Sequence, residues 1–443
     1  MVPAHQIRTS IAIAAAGTTV IAAFLLQPSR ARCVEPSLVQ SELALSARLV
    51  SDQVVSGEQD LVVTIKAPAD HATQRPPLSV AVVIDRSGSM NGESLTNAKA
   101  AANRLVDMLD DRDAFTIVAY SSTDEVLTGI TRATPYAKAN ARMAIDAMFA
   151  HGGTCISCGL NEGANELMKT PVTSGISRMV LISDGQANEG IYNRDDLAQL
   201  AANNASHGVS LSAVGVGLDF DEMTMMRLAR VGHGNYYYAE NTATLADMFA
   251  QELGGLTQTV AADLRLEIHE AAMTKVVDAY GYPLLREGSS LVVPVADLRA
   301  GEERKVVLRV MVAGGNVAKL DLGWRRVSDG AHRESQAVVM TTITTDPAEQ
   351  ARTIDRPTLQ EAEAAHSARV VEDAARTYET QGADAAQQVI ERHMADLDKN
   401  GMIDAPTKAK LEQAEGQVRM DFAKKPAPAA TKSARAAAYQ LAQ

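Results

Sequence analysis

Apolar, strand-like runs alternate with amphipathic helical stretches over residues 80–252. The first run, at 80–84, is followed by a helical pattern around 93–109, and the same order recurs with strands at 179–182 and 209–214. Continuously apolar strands between helices are typical of a parallel sheet that is covered on both faces. The segment therefore predicts a doubly wound, Rossmann-like α/β domain, in which ligands bind beyond the carboxyl ends of the strands.

Three oxygen-bearing side chains follow the first of these strands at alternate positions. They are Asp85, Ser87 and Ser89, on a short turn that contains a glycine. Hard oxygen donors in this arrangement suit a small divalent cation such as Mg²⁺. A turn in which serines cap the next helix has the same composition, so the turn alone leaves both interpretations open.

Two more polar residues are expected at the same edge of the sheet. Asp184 follows the strand at 179–182, and Thr154 follows two glycines just ahead of a predicted helix. Because the carboxyl ends of parallel strands share one edge, the fold predicts that these residues lie close to Asp85. The glycines allow the backbone to come close and leave the Thr154 hydroxyl free.

The motif Asp-x-Ser-x-Ser, then Thr after Gly-Gly, then Asp before Gly resembles the metal-ion-dependent adhesion site of von Willebrand factor type A domains, as found in secreted bacterial proteins. The resemblance covers 78–255. It implies that five residues hold Mg²⁺, or Mn²⁺ or Ca²⁺, some through water: Asp85, Ser87, Ser89, Thr154 and Asp184. It also implies that the ion captures an Asp or Glu of a protein partner.

Alternating strand patterns flank this domain on both sides. Those at 38–70 precede it and those at 258–346 follow it. Two strands do not make a stable sheet alone, so we expect the earlier strands to pair with the later ones in an antiparallel β-sandwich into which the α/β domain is inserted. The alternative is an N-terminal extension that packs on the α/β domain. A helical region is predicted at 357–420, and a disordered tail at 424–443.

A second candidate metal loop lies between two of the C-terminal helices. Its oxygen-bearing residues follow the spacing of an EF-hand loop and are Asp396, Asp398, Asn400 and Asp404. The final position of such a loop is normally a bidentate Glu, and here it is Thr407. The pattern therefore allows either a weak Ca²⁺ site or a turn in which Asp404 caps the following helix.

Cys155 and Cys158 are three residues apart, and they would pair as a disulfide in an oxidising compartment. A redox-active pair is expected only if it lies at a helix N-terminus, and two small buried residues is the simpler interpretation. His151 is the one candidate general base near the metal loop, and no nucleophile is evident beside it. We therefore expect a binding protein and not an enzyme.

The N-terminus reads as an export signal over residues 1–31, with an apolar run from 11 to 26 and a small-residue cleavage position. An uncleaved membrane anchor is the alternative, because Arg30 and Arg32 are unusual beside a cleavage site. Export predicts a periplasmic, cell-envelope or extracellular protein.

The net charge of -12 argues against nucleic acid as a partner. The sequence therefore favours an exported, metal-dependent module for adhesion or complex assembly. One alternative is an accessory subunit of a metal-chelatase or ATPase-type machine, although the chain contains no phosphate-binding Gly-x-x-x-x-Gly-Lys-Ser/Thr motif. Another is a protein of the kind labelled as calcium-activated chloride channel homologues.

Overall fold

The computed structural model describes residues 43–69, 75–169, 175–184, 186–216, 221–239, 248 and 252–441. The predicted export signal at 1–31 lies outside these ranges. Within the described ranges, no helix is long and apolar enough to cross a membrane.

One mixed sheet forms the centre of the predicted α/β domain. With strands and helices numbered along the whole chain, its strands are β4 (Leu78–Asp85), β5 (Ala114–Tyr120), β6 (Asp124–Arg132), β7 (Ile176–Ser183), β8 (Val209–Val216) and β9 (His233–Ala239). They lie in the order β6-β5-β4-β7-β8-β9, and β6 is antiparallel at one edge. The accompanying helices are α1 (Glu93–Met108), α2 (Pro135–Ala147), α3 (Ile156–Met168), α4 (Arg194–Ser206) and α5 (Glu222–Val231). The predicted doubly wound α/β fold is confirmed.

Strand β4 is buried along its whole length. Val80, Val82 and Ile84 pack in a cluster with α1 and α2, whereas Ala81 and Val83 pack in a second cluster with α3, α4 and α5. The strand therefore has an apolar core on each face. This is why its sequence is continuously apolar and does not alternate.

Helix α3 lies unusually close to β4 and β5. A Cβ atom on Gly159 would lie 2.7 Å from Tyr120 Cδ1 and 2.9 Å from Val83 Cγ1. One turn later, a Cβ atom on Gly163 would lie 2.7 Å from Val83 Cγ2. The two glycines thus let the helix backbone approach the sheet closely. This contact fixes the position of the first turn of α3 relative to the sheet edge.

The remaining strands form two antiparallel sheets. They are β1 (Ala44–Leu49), β2 (Gln53–Val55), β3 (Gly57–Lys66), β10 (Thr259–Glu270), β11 (Thr274–Ala279), β12 (Leu285–Glu287), β13 (Ser290–Val295), β14 (Leu298–Arg299), β15 (Glu303–Val312), β16 (Asn316–Arg326), β17 (His332–Met340) and β18 (Thr342–Thr344). The first sheet has the order β1-β3-β15-β11 and the second β12-β13-β10-β16-β17, with β14 beside β10. The short strands β2 and β18 pair separately and in parallel.

Strand β3 pairs with β15 in a register that runs from Gly57 opposite Val312 to Lys66 opposite Glu303. One strand precedes the α/β domain and the other follows it, so the domain is inserted between them. Apolar side chains of both antiparallel sheets, such as those of Leu61 and Leu264, belong to one core cluster. The N-terminal strands are therefore part of the later β-domain and not a separate extension.

A buried ion pair joins the α/β domain to the β-domain. Arg178 on β7 is 1% exposed, and its guanidinium lies 2.7 Å from a carboxylate oxygen of Asp297, which follows β13. The same guanidinium lies 3.5 Å from Glu252. A buried charge of this kind is tolerated only with partners, so the pair fixes the contact between the two domains.

The C-terminal part is helical, as predicted. Its helices are α6 (Pro347–Arg352), α7 (Arg356–Gln381), α8 (Ala383–Lys399), α9 (Ala405–Lys424) and α10 (Ala427–Leu441). Helix α10 overturns the prediction of a disordered tail at 424–443, because Ala430, Ala434 and Ala438 recur every four residues and form one buried helical face.

Polar contacts also hold α10 in place. The Arg435 guanidinium lies 3.1 Å from Glu222 on α5 and 2.7 Å from Glu379 on α7. The Tyr439 hydroxyl donates to the Gly234 carbonyl oxygen at 3.4 Å. Arg435 in the predicted tail is therefore paired with acidic residues of the folded protein.

The contact between α3 and the sheet predicts that Gly159→Ala destabilises the protein by about 1–3 kcal/mol, because the new methyl group overlaps Tyr120 and Val83. Helix propensity alone predicts the opposite sign, a gain of up to about 1 kcal/mol. Gly416→Ala in α9 is the matched control, since no atom lies within 4 Å of its added Cβ. Chemical denaturation of both variants measures the difference. Equal stability of the two would contradict the close approach of α3.

The environment of His393 on α8 predicts a pH dependence of stability. Burial alone would lower the pKa of His393, but hydrogen bonds to Glu363 (3.1 Å) and Glu415 (2.8 Å) outweigh burial and raise the pKa to about 9. The free energy that His393 contributes to folding is therefore fully present below its unfolded pKa of about 6.5 and is lost as the pH rises through about 9.

Denaturant midpoints at several pH values check this expectation in the wild type and in His393→Gln. At pH 6.5 the wild type should have a larger free energy of unfolding than His393→Gln. This difference in free energy should shrink above pH 9. A difference that stays constant with pH would exclude the charged network.

Candidate metal centre

Asp85 ends β4 and is completely buried. One carboxylate oxygen accepts the backbone N–H of Ser87 at 2.8 Å, and the other accepts the hydroxyl of Ser183 at 2.6 Å. Ser183 ends the neighbouring strand β7. The carboxylate is therefore held between the ends of two adjacent parallel strands.

Asp184 meets the turn that follows β4. The hydroxyl of Ser89 donates to a carboxylate oxygen of Asp184 at 3.0 Å, and the hydroxyl oxygens of Ser87 and Ser89 are 3.1 Å apart. Four of the five residues selected from the sequence, Asp85, Ser87, Ser89 and Asp184, thus belong to one hydrogen-bonded group. Residues that are 95 positions apart in the chain meet here because β4 and β7 are neighbours in the sheet.

Backbone hydrogen bonds bring the loop that carries Thr154 to the same turn. The N–H of Gly88 donates to the Gly152 carbonyl oxygen at 3.0 Å, and the N–H of His151 donates to the Arg86 carbonyl oxygen at 2.8 Å. Thr154 itself is 3% exposed. The loop that carries Thr154 is therefore docked on the turn between Asp85 and Ser89.

Hydrogen bonds to the segment after Asp184 also hold the backbone of Thr154. The Thr154 N–H donates to the Asn188 side-chain oxygen at 2.8 Å, and the Asn188 N–H donates to the Thr154 carbonyl oxygen at 3.0 Å. Gly152 takes a φ of +75°, and a Cβ there would lie 2.9 Å from the Ser122 hydroxyl. A residue with a side chain would be strained in this position, so the loop requires glycine.

The two carboxylates of the site are electrostatically unfavourable by themselves. Burial raises the pKa of Asp85, against the hydrogen bonds from Ser183 and Ser87. Burial raises the pKa of Asp184 to about 6, and the nearby charge of Asp85 adds to the increase. Among the described residues, no Lys, Arg or His forms a salt bridge with either carboxylate, and the adjacent Arg86 pairs with Glu125 at 2.6 Å instead. Buried carboxylates in this situation favour a cation.

The donor set restricts which cation fits. No three His, Cys, Asp or Glu side chains in the described ranges come together in a way that would hold a metal ion. An ion at this edge would therefore depend on hydroxyl oxygens as well as on the two carboxylates. Such all-oxygen surroundings suit a hard divalent ion and not zinc or copper.

Two supporting residues were missed from the sequence. Ser183 was not among the residues selected, although its hydroxyl donates to Asp85. Asn188, which fixes Thr154, stands in a loop and had no recognisable signal. Hydroxyl and amide residues are common in loops, so only the folded structure identifies these two as partners.

The cysteine pair lies directly after Thr154. Cys155 is the N-cap residue of α3, and the structure joins its sulfur to that of Cys158 in a disulfide. The pair therefore lies at a helix N-terminus, which is the position expected of a redox-active pair. The sequence had named this disulfide as possible, and it had favoured two small buried residues on a helix over a redox-active pair.

His151 is exposed beside the candidate metal centre. Its Nδ1 lies 3.2 Å from the Phe149 carbonyl oxygen, and its ring centroid lies 5.0 Å from that of Phe149. These contacts are with its own loop. Within the described part of the chain, His151 forms no hydrogen bond to a Ser, Thr or Cys side chain that it would activate as a nucleophile.

The candidate calcium loop at 396–404 forms a helix connection. Asp404 is the N-cap of α9 and accepts the Thr407 N–H at 2.8 Å, while Asn400 is the C-cap of α8. Asp398 pairs with Lys408 at 2.5 Å, and Asp396 lies 3.5 Å from Lys399. The alternative from the sequence, a capped turn, therefore describes these four oxygen-bearing residues.

A family model of the von Willebrand factor type A domain matches residues 79–251. This chain contains a von Willebrand factor type A domain. The match begins one residue after the start of β4 and covers all five candidate ligands. Domains of this family have protein-interaction roles.

Two bacterial proteins are similar to part of this chain. The uncharacterised protein YfbK of Escherichia coli (strain K12) is 30% identical over 210 residues, which are 47% of this chain and 36% of that protein. An uncharacterised protein of Synechocystis sp. is 24% identical over 282 residues, which are 61% of this chain and 66% of that protein. The chain thus matches less than two thirds of each relative.

A solved von Willebrand factor type A protein from Catenulispora acidiphila superposes with a TM-score of 0.66 and 18% identity. The superposition covers 87% of this chain and 90% of that one. It extends well beyond the type A domain, so the two proteins share the fold of the flanking parts as well.

The geometry predicts that Mn²⁺ or Mg²⁺ stabilises the protein by about 2.7 kcal/mol when its concentration is one hundred times the dissociation constant. Asp85→Asn should abolish the metal-dependent increase in melting temperature, because it removes a charged donor of the site. Glu125→Gln is the matched control, since it removes a negative charge from an exposed neighbour that pairs with Arg86. Equal metal-dependent shifts in all three proteins would place the ion elsewhere.

Proposed function

We propose that this protein is a metal-dependent binding module that captures an acidic residue of a protein partner. Asp85, Ser87, Ser89, Thr154 and Asp184 would hold Mg²⁺, or Mn²⁺ or Ca²⁺, at the carboxyl edge of the sheet. The observation that carries this proposal is the pair of buried carboxylates, which are hydrogen-bonded to serine hydroxyls and have no cationic partner among the described residues.

The chemistry of capture follows from the donor set. The ion would supply positive charge with a coordination position open to an outside carboxylate. The protein's own hydroxyls are neutral, so they orient the ion and leave much of its charge for the partner. Asn188 and the Gly152 loop keep Thr154 in place. This arrangement supports binding and provides no general base for a catalytic step.

Exposed apolar side chains lie on the two loops beside the candidate metal centre. Phe149 is 66% exposed on the loop that leads to Thr154, and Tyr192 is 69% exposed on the loop that follows Asp184. Ile191, next to Tyr192, is 39% exposed. Aromatic residues are enriched in protein interfaces. We therefore propose that the captured carboxylate has apolar neighbours on the partner that pack on these side chains.

An exported location is part of this proposal. The Cys155–Cys158 disulfide supports it, because disulfides persist in oxidising compartments such as the periplasm, the cell envelope and the extracellular space. Adhesion and assembly of envelope complexes both suit such a location.

Affinity capture from the native cell tests the function, with Mg²⁺ or with EDTA, using the wild type, Asp85→Ala and Phe149→Ser/Tyr192→Ser. We expect a partner that is retained by the wild type in Mg²⁺, is lost in EDTA and with Asp85→Ala, and binds about tenfold or more weakly to the aromatic variant. Tyr136→Ser is the matched control, since Tyr136 is 78% exposed and lies at the edge of the sheet opposite the candidate metal centre. It follows the end of β6, which pairs with the start of β5 at the amino edge of the parallel strands.

The captured protein is then purified, and each exposed Asp and Glu is changed to the amide. One such change should abolish binding as completely as EDTA does. Undiminished binding by Asp85→Ala in EDTA would exclude the proposed function.

A further inference from the structure

We propose that Cys155 and Cys158 form a thiol–disulfide exchange site, and that its redox state sets how tightly the adjoining Thr154 loop binds metal. The second part rests on the metal function proposed above. The first part concerns the two cysteines alone. Both parts follow from the position of the disulfide between the metal loop and α3.

The disulfide is poorly suited to be a structural staple. It connects residues only three positions apart, at the start of one helix. The chain entropy that a disulfide removes from the unfolded state grows with the length of the loop it closes, so this loop contributes little. A bond that adds little to stability can open without unfolding the domain.

The two sulfur-bearing residues differ in accessibility. Cys155 is 1% exposed, whereas Cys158 is partly exposed in the first turn of α3. A Cβ on Gly190 would lie 2.4 Å from the Cys155 sulfur, so the loop that follows Asp184 covers that sulfur directly. An external thiol therefore meets Cys158 first, and Cys155 is the leaving group.

The exchange balances with an external dithiol as the reductant. Its thiolate attacks the Cys158 sulfur, a mixed disulfide forms, and the bond to Cys155 breaks with its electron pair on the Cys155 sulfur. The second thiol of the reductant then displaces Cys158 and closes the reductant's own disulfide. Two electrons pass to the protein, and the two protons of the dithiol end on the two cysteines or in solvent.

The start of α3 offers hydrogen-bond donors to the Cys155 sulfur once the disulfide has opened. The Cys155 sulfur accepts no backbone N–H as a helix cap in the disulfide form, and helix N-termini have unpaired N–H groups that favour an anionic acceptor. The Ser157 hydroxyl lies 3.5 Å from the same sulfur. The product of exchange therefore has donors already in place.

The contacts of the pair lead directly to the candidate metal centre. Thr154 is the residue before Cys155, and its backbone exchanges two hydrogen bonds with Asn188. The same loop contacts the pair again where the Ile191 N–H donates to the Ser157 hydroxyl at 2.9 Å. Opening the disulfide removes one restraint on Cys155, the residue next to Thr154. We expect metal affinity to fall by about tenfold, as is typical when support of a ligand is lost.

Two measurements on the full-length protein test both parts. The protein is incubated with dithiothreitol under native conditions, its thiols are trapped with iodoacetamide and counted by mass spectrometry, and reoxidation is followed after the reductant is removed. Calorimetric titration with Mn²⁺ then compares the oxidised and reduced forms. Cys155→Ser/Cys158→Ser is titrated with and without reductant as the control, and circular dichroism reports whether each form stays folded.

We expect reversible trapping of both cysteines in folded protein, and about tenfold weaker Mn²⁺ binding in the reduced form. The double variant should not respond to the reductant. Cysteines that become reactive only after denaturation would overturn the exchange site. Equal Mn²⁺ affinity in the two redox states would overturn the coupling and leave the metal site intact, whereas absence of Mn²⁺ binding in both states would overturn the metal site itself.

Discussion

The burial of β4 on both faces is the constraint on which the rest of the structure depends. Its side chains fill two cores, one with α1 and α2 and one with α3, α4 and α5. The strand therefore cannot shift its register without exposing apolar residues or burying polar ones. Because its position is fixed, Asp85 always emerges at the same point of the sheet edge, where Asp184 arrives from the neighbouring strand β7. The candidate metal centre is a consequence of this packing.

The remaining parts of the chain support that domain from outside. The pairing of β3 with β15 closes the β-domain around both ends of the insertion, and the buried contact between Arg178 and Asp297 fixes one domain against the other. Helix α10 adds a further contact through Arg435 and Glu222. The partner-binding face that we propose is left to the loops at the carboxyl edge. A rigid scaffold that presents functional loops is a common solution in binding proteins.

The sequence was most informative where chemistry and secondary structure coincide. Asp85 and Asp184 were predicted to meet because each follows a buried strand, and the alternating strands before and after the α/β domain predicted the pairing of β3 with β15. The sequence was misleading where a side chain's role depends on distant residues. Asn188 has no local signature. The tail was predicted to be disordered, although three of its alanines form a helical face that α7 covers.

The central claim is that a divalent ion binds where the buried carboxylates meet the serine hydroxyls. Crystals of the protein grown with Mn²⁺ test this claim most directly through the anomalous scattering of the ion. We predict one strong anomalous peak within coordination distance of oxygen atoms of Asp85, Ser87 and Ser89. The peak should disappear in Asp85→Asn crystals grown in the same way. A protein that crystallises with Mn²⁺ bound elsewhere, while Ser89 and Asp184 keep their direct hydrogen bond, would contradict the account.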